Sequence, residues 1–151
     1  MEKKKKAFTL IELLVVVAIM GLLSAVAVIA LNNARARARD ARRLSDIKQV
    51  QTALELYYLD QNQYPEEAAT FEGYCLSSAG IATACTAPTY LAKIPANPNP
   101  RTDGLCTDVP YTYTSDLTGN LSYHITYCLG SATGGIISSN HTATPAGITN
   151  P

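Results

Sequence analysis

The sequence predicts an α+β fold: one long amino-terminal helix whose second half packs on a small antiparallel β-sheet headgroup. Three observations predict it. Leu13 through Leu31 is a run of 19 residues without a charge, long enough as a helix to cross a bilayer. From Leu44 to Tyr58 apolar residues recur at spacings of three and four, which marks one helix face. Residues 109–128 then alternate apolar and polar with a period of two, the pattern of a half-buried strand pair.

Composition bounds the rest. A chain of 151 residues supports about one domain. Charged residues are only 16%, and twelve basic side chains cancel twelve acidic ones. That balance excludes a strongly basic nucleic-acid binder and an acidic disordered chain. A mean hydropathy of +0.03 excludes a protein with many membrane spans. The charge is nevertheless unevenly placed. Lys3 to Lys6 open the chain, five arginines crowd between Arg35 and Arg43, and residues 64–151 hold only Lys93 and Arg101 against six acids.

The first element begins with the four lysines and the apolar segment from Ala7. A basic stretch before an apolar run also opens a secretory signal peptide, and Ala25-Val26-Ala27 offers a cleavage pattern. Two features oppose that reading: Glu12 interrupts the basic-to-apolar junction, and the apolar run continues to Leu31. A carboxylate at the edge of a membrane segment is costly and calls for a partner or for a shallow position among headgroups.

Here the sequence resembles the type IV pilin and type II secretion pseudopilin family. Lys3 to Lys6, Ala7 and Phe8-Thr9-Leu10-Ile11-Glu12-Leu13 look like the prepilin processing and methylation motif. The resemblance implies a pilin-like fold and a leader, residues 1–7, removed by prepilin peptidase between Ala7 and Phe8, with methylation of the new terminus. It implies that Glu12 receives the terminal amine of a neighbouring subunit, so that a carboxylate in lipid finds its countercharge in another chain. Ala7 stands where the family usually has Gly. Without residues 1–7 the chain keeps eight basic and eleven acidic side chains, a balance of −3.

After the apolar segment, 8–31, Asn32-Asn33 and the five arginines read as a juxtamembrane basic collar. No Gly or Pro lies between Leu22 and Gln63, so one helix is expected from Phe8 to about Gln63, with an amphipathic half over 32–63. Tyr64-Pro65 stops it. The stretch Leu56 to Pro65 and the run Tyr90 to Pro98 also resemble that family.

The headgroup, 64–151, opens with a loop-rich segment. A β-hairpin over about 107–128 follows, and centring its turn on Leu117 sets Tyr113 opposite Leu121, Tyr111 opposite Tyr123 and Val109 opposite Ile125. Cys106 then falls opposite Cys128. Four cysteines allow three connectivities, and none of the gaps is a C-x-x-C metal spacing. The register favours Cys106–Cys128, which leaves Cys75–Cys85. Residues 130–151, rich in Gly, Ser and Thr, are expected to stay mobile or to form one edge strand around Ile136-Ile137.

Catalytic chemistry is not expected. No nucleophile–base constellation or glycine-rich phosphate loop stands out, and His124 and His141 read as solvated surface residues. No cofactor is expected. The resemblance brings in calcium, which major pseudopilins hold with loop carboxylates; Asn97, Asp103 and Asp108 are the weak candidates, Asn97 standing where those relatives tend to have Asp. Asn120-Leu121-Ser122 and Asn140-His141-Thr142 match the glycosylation triplet.

The resemblance implies a structural subunit. The reading placed first is a type IV pilin, a homopolymer through its amino-terminal helix that serves adhesion, motility or DNA uptake. The next is a pseudopilin of a type II secretion system, and the third a monomeric anchored or secreted domain. The implied partners are prepilin peptidase, an assembly platform in the membrane, membrane lipid before assembly, and no specific nucleic acid. The implied location is the cell membrane as a single-pass precursor, then an extracellular filament.

Overall fold

The computed structural model describes residues 8–66, 71–116 and 119–149. Helix α1 spans Leu10–Gln61 without interruption. Thr9 caps it: the Glu12 carboxylate accepts from the Thr9 amide at 2.9 Å and hydroxyl at 2.7 Å, and the Glu12 amide donates back to Thr9 Oγ1. This is a capping box, which satisfies orphan donors of the first turn. At the other end Asn62 takes a positive φ of 55° and donates its amide to Tyr58 O, which ends the helix before Pro65 is reached.

The chain divides at Arg35 into two units. In the first, the side chains from Phe8 to Leu31 are exposed, including Leu10, Val16 and Leu31. An apolar helix with no polar face needs lipid or other helices around it, and α1 is long and apolar enough to cross a membrane.

The second unit, from Ala36, is the headgroup. Leu44, Ile47, Val50, Ala53, Leu54 and Tyr57 form the buried stripe of α1. Two antiparallel sheets complete it. The smaller holds β1 (Cys75–Ser77), β2 (Gly80–Ala82) and β3 (Thr89–Leu91) in the order β2-β1-β3. The larger is a meander of β4 (Thr112–Ser115), β5 (Tyr123–Leu129), β6 (Ser139–Thr144) and β7 (Gly147–Thr149). One core joins the stripe to Leu76, Ile94 and the inward residues Tyr113, Tyr123, Ile125, Tyr127 and Ala143. Aromatic rings dominate it: Tyr64 meets Tyr58 and Tyr123 with ring centroids 4.8 Å apart in each pair, and Phe71 stacks on Tyr113.

The hairpin keeps its expected faces but not its expected register. Tyr113 pairs with Ile125 rather than Leu121, and Ser115 pairs with Tyr123. An even-numbered slip leaves the same side chains inside, so Tyr113, Tyr123, Ile125 and Tyr127 are buried and Thr112, Thr114, His124 and Thr126 exposed. The turn is centred on Gly119, two residues later than the expected centre at Leu117. Asp116 N donates to Ser122 O, Asn120 N to Asp116 O, and Tyr64 N to Asn120 O, which fixes the loop to the helix exit. Leu117 itself lies outside the described residues. The first arm is shorter too, because Val109 and Pro110 precede β4 rather than extending it.

The tail differs most. Instead of a mobile segment, residues from Ser139 onward supply β6 and β7, and β6 pairs with β5 over Ile125–Leu129. Ile136 closes a tight bridge with Thr133 rather than starting a strand. His141 is not solvated. It is 1% exposed, with Nε2 2.8 Å from Ile137 O and its ring beside Tyr127. On the outer face the ladder aligns Thr112, Thr126, Thr142 and Thr149 in one row across four strands.

Candidate functional site

Two groups of residues carry chemistry beyond core packing. The first is the amino-terminal motif. Phe8 is exposed and Glu12 sits one turn into α1, its carboxylate held by Thr9. Ala7, on the other side of the expected cleavage, lies outside the described residues.

The second was not foreseen from the sequence: a buried charge cluster between α1 and the loops around residues 97–104 and 130. Arg43 is completely buried. Its Nη1 meets Asp40 Oδ1 at 2.6 Å, its Nε donates to Asn97 Oδ1 at 2.9 Å, and its Nη2 reaches Asp103 Oδ2 at 3.0 Å. The same Nη2 faces the carbonyls of Pro100 and Arg101 at 3.1 and 3.3 Å. Asp40, also fully buried, accepts from the amides of Gly130 at 3.0 Å and Ser131 at 2.8 Å. Arg39 grips Asp103 with two nitrogens, at 2.7 and 2.6 Å. That fork, with Arg43 beside it, holds the Asp103 carboxyl below its ordinary pKa.

Glu72 extends the cluster on the loop side. Its Oε1 accepts from the amides of Asn97 and Tyr111, and its Oε2 pairs with Arg101. Asn97 Nδ2 donates to Val109 O. Underneath, Gly104 and Gly130 press main chain against main chain: a Cβ on Gly104 would run into Gly130 O, and one on Gly130 into Asp103 O. Neither position has room for a side chain.

Arg39 and Arg43 therefore leave the expected collar and hold the headgroup loops, while Arg35, Arg37 and Arg42 stay exposed. Of the calcium candidates, Asn97 and Asp103 come together, but around guanidinium groups. Asp108 stands apart, with an exposed carboxylate 3.8 Å from Arg101. Among the described residues no group of three His, Cys, Asp or Glu is placed to hold a metal.

Two disulfides flank these loops. Cys75 joins Cys85 and Cys106 joins Cys128, with Cα atoms 6.0 and 5.7 Å apart. Cys106 reaches Cys128 from the loop before β4, not from a strand position opposite it, since β4 begins only at Thr112, which pairs with Thr126.

Comparison with known proteins places these features in a family. Residues 3–28 match the prokaryotic N-terminal methylation motif. Residues 29–115, more than half of the chain, match the family described as type II secretion system (T2SS), protein G. The chain belongs to that family. Type II secretion system core protein G of Aeromonas hydrophila is 38% identical over 64 residues, which are 42% of this chain and 45% of that protein. The Escherichia coli K12 core protein G is 29% identical over 107 residues, 63% of this chain and 67% of that one. Type IV major fimbrial protein FimA of Dichelobacter nodosus is 42% identical over 66 residues, 44% of this chain and 42% of the fimbrial protein. The chain thus spans less than half the length of most of these relatives, and no solved structure matches it.

Membership in the protein G family fits what the site can do. This chain is a pilin-like member of it, with one long amino-terminal helix and small antiparallel sheets. From Leu10 onward its methylation motif runs along the apolar, exposed part of α1. The buried cluster fixes the loops of its headgroup.

Proposed function

We propose that this protein is a pseudopilin of a type II secretion system, the subunit of a short fibre that drives folded proteins out of the cell. The observation that carries the reading is the extent of the protein G match: it runs over residues 29–115, through the amphipathic half of α1, β1 to β3, the charged side chains of the buried cluster and β4. The pilus reading, placed first from the sequence alone, draws on the fimbrial relatives, which match over 66 residues or fewer. They keep it as the second reading.

In this proposal prepilin peptidase removes residues 1–7, and Phe8 becomes the methylated terminus. The segment 8–31 holds the subunit in the membrane until it joins a fibre, where apolar helices pack on one another and headgroups face water. Glu12 then exchanges its bonds to Thr9 for the amine of a neighbouring copy. An assembly platform in the membrane and other copies of this chain are the partners, and the fibre stands outside the membrane.

Deleting the gene and comparing the extracellular proteins with those of the complemented strain tests the reading. A pseudopilin predicts that secreted proteins become cell-associated in the deletion. Long surface fibres built of this chain, together with an unchanged set of secreted proteins, would place it in a pilus instead.

A further inference from the structure

We infer that the Arg43 guanidinium is a tethered cation that closes the headgroup loops in place of a calcium ion, so that this headgroup folds without calcium. The inference holds for either fibre, and it rests on the donor set. Around Arg43 converge two carboxylates (Asp40 and Asp103), the Asn97 amide oxygen, and the main-chain carbonyls of Pro100 and Arg101. Carboxylates, an amide oxygen and main-chain carbonyls are the ligand types of a hard divalent cation. Here each of them already faces a guanidinium nitrogen, at 2.6 to 3.3 Å.

Calcium does not fit beside that group. It takes about six to eight oxygens at roughly 2.3–2.6 Å, and the oxygens present are directed at a planar fork instead. The charges are also already balanced. Asp40 and Asp103 face Arg43 and Arg39, two negative charges against two positive. A dication would enter as an uncompensated double charge among buried groups, which low-dielectric surroundings oppose. Asp108, the third acid that could have raised the ligand count, has a side chain 72% exposed and turns to Arg101.

The guanidinium does what the ion would do. Its five N–H groups span residues far apart in sequence, tying α1 to the loop at 97–103; through Asp40 it also orders the amides of Gly130 and Ser131. Because the cation is covalently part of α1, loop closure does not vary with the calcium level outside the cell.

The test is thermal unfolding of the full chain in detergent micelles, followed by near-ultraviolet circular dichroism of its tyrosines. In excess calcium and in excess chelator the midpoints should agree within about 1 °C, since a ion that does not bind the folded state cannot stabilise it. A calcium-dependent rise of several degrees would overturn the inference. The variants Arg43→Lys and Arg43→Met separate charge from packing: Lys keeps a cation at the end of a long stem, Met keeps the stem alone. A tethered cation predicts a clearly higher midpoint for Lys than for Met, and equal midpoints would refute it. Should neither variant fold, the calcium comparison on the unaltered chain decides.

Discussion

Replacing Asp40 by Asn removes one charge from the buried cluster while keeping the shape of the side chain. Asp40 Oδ1 accepts from Arg43 and Gly130, and Oδ2 from Ser131. An amide offers one oxygen and one NH2, so in either orientation its NH2 faces a donor. Removing one partner of a buried ion pair costs about 3–5 kcal/mol when the other charge is left alone. Arg43 keeps Asp103 at 3.0 Å, which lowers the expected loss to about 2–4 kcal/mol. For a headgroup of this size that corresponds to a melting point lower by roughly 10–20 °C. Urea unfolding of the full chain in micelles, read by tyrosine circular dichroism, measures it. A double-mutant cycle with Arg43→Met should return a coupling above about 1 kcal/mol. A loss for Asp40→Asn below about 1 kcal/mol, or the same loss with and without Arg43, would refute the reasoning that the pair closes the loops.

The remaining predictions concern other parts of the chain. Glu12→Ala should leave removal of residues 1–7 intact and abolish fibre assembly, checked by amino-terminal sequencing and by imaging of sheared surface material; normal fibres would remove support for charge pairing between subunits. Truncation after Ser138 should unfold the headgroup, since β6 covers one edge of β5 and carries the buried His141 and Ala143; limited proteolysis reads this out, and a protease-resistant truncated head would contradict it. Acid should destabilise the headgroup through Asp103. Its folded-state pKa is depressed, so its contribution is complete above its unfolded value of about 4 and is lost as pH falls through the lower folded value; an Asp103→Asn variant should lose that part of the pH dependence. Asp46 works the other way, because burial raises its pKa, so Asp46→Asn should be neutral or mildly stabilising at pH 7 in the same unfolding assay.

Much of this fold could be read from spacing alone. The apolar stripe of α1 follows from residues three and four apart, and the inward tyrosines of β4 and β5 follow from alternation, which survives a change of register. The register itself depended on where the turn is centred, and the turn is held by Tyr64 N meeting Asn120 O, a contact 56 residues apart in sequence. Strand β6 was hidden for a different reason. Its inward residues are His141 and Ala143, neither of which marks a core face, and its Ser and Thr neighbours read as loop. The charge cluster left one signal. Extending the stripe backward from Ile47 and Leu44 by threes and fours lands on Arg43 and Asp40, where a hydrophobic count sees only polar residues. An Asp–Arg pair at i,i+3 continuing an apolar face is worth treating as a candidate buried pair.

The position of that pair on α1 has a mechanical meaning. Among the described residues, Arg39, Asp40 and Arg43 are the first along the helix whose side chains bond to distant parts of the headgroup. Tension drawn along α1 from its amino-terminal side therefore meets them before it meets the apolar stripe that begins at Leu44. From Asp103 the strain passes three residues on to Cys106 and, through the disulfide, into β5 at Cys128. From Asp40 it passes to Gly130 and Ser131, immediately beyond the end of the same strand. Both routes converge on β5, which is paired on both sides, so a pull on the helix is shared by the sheet before it can peel the core open.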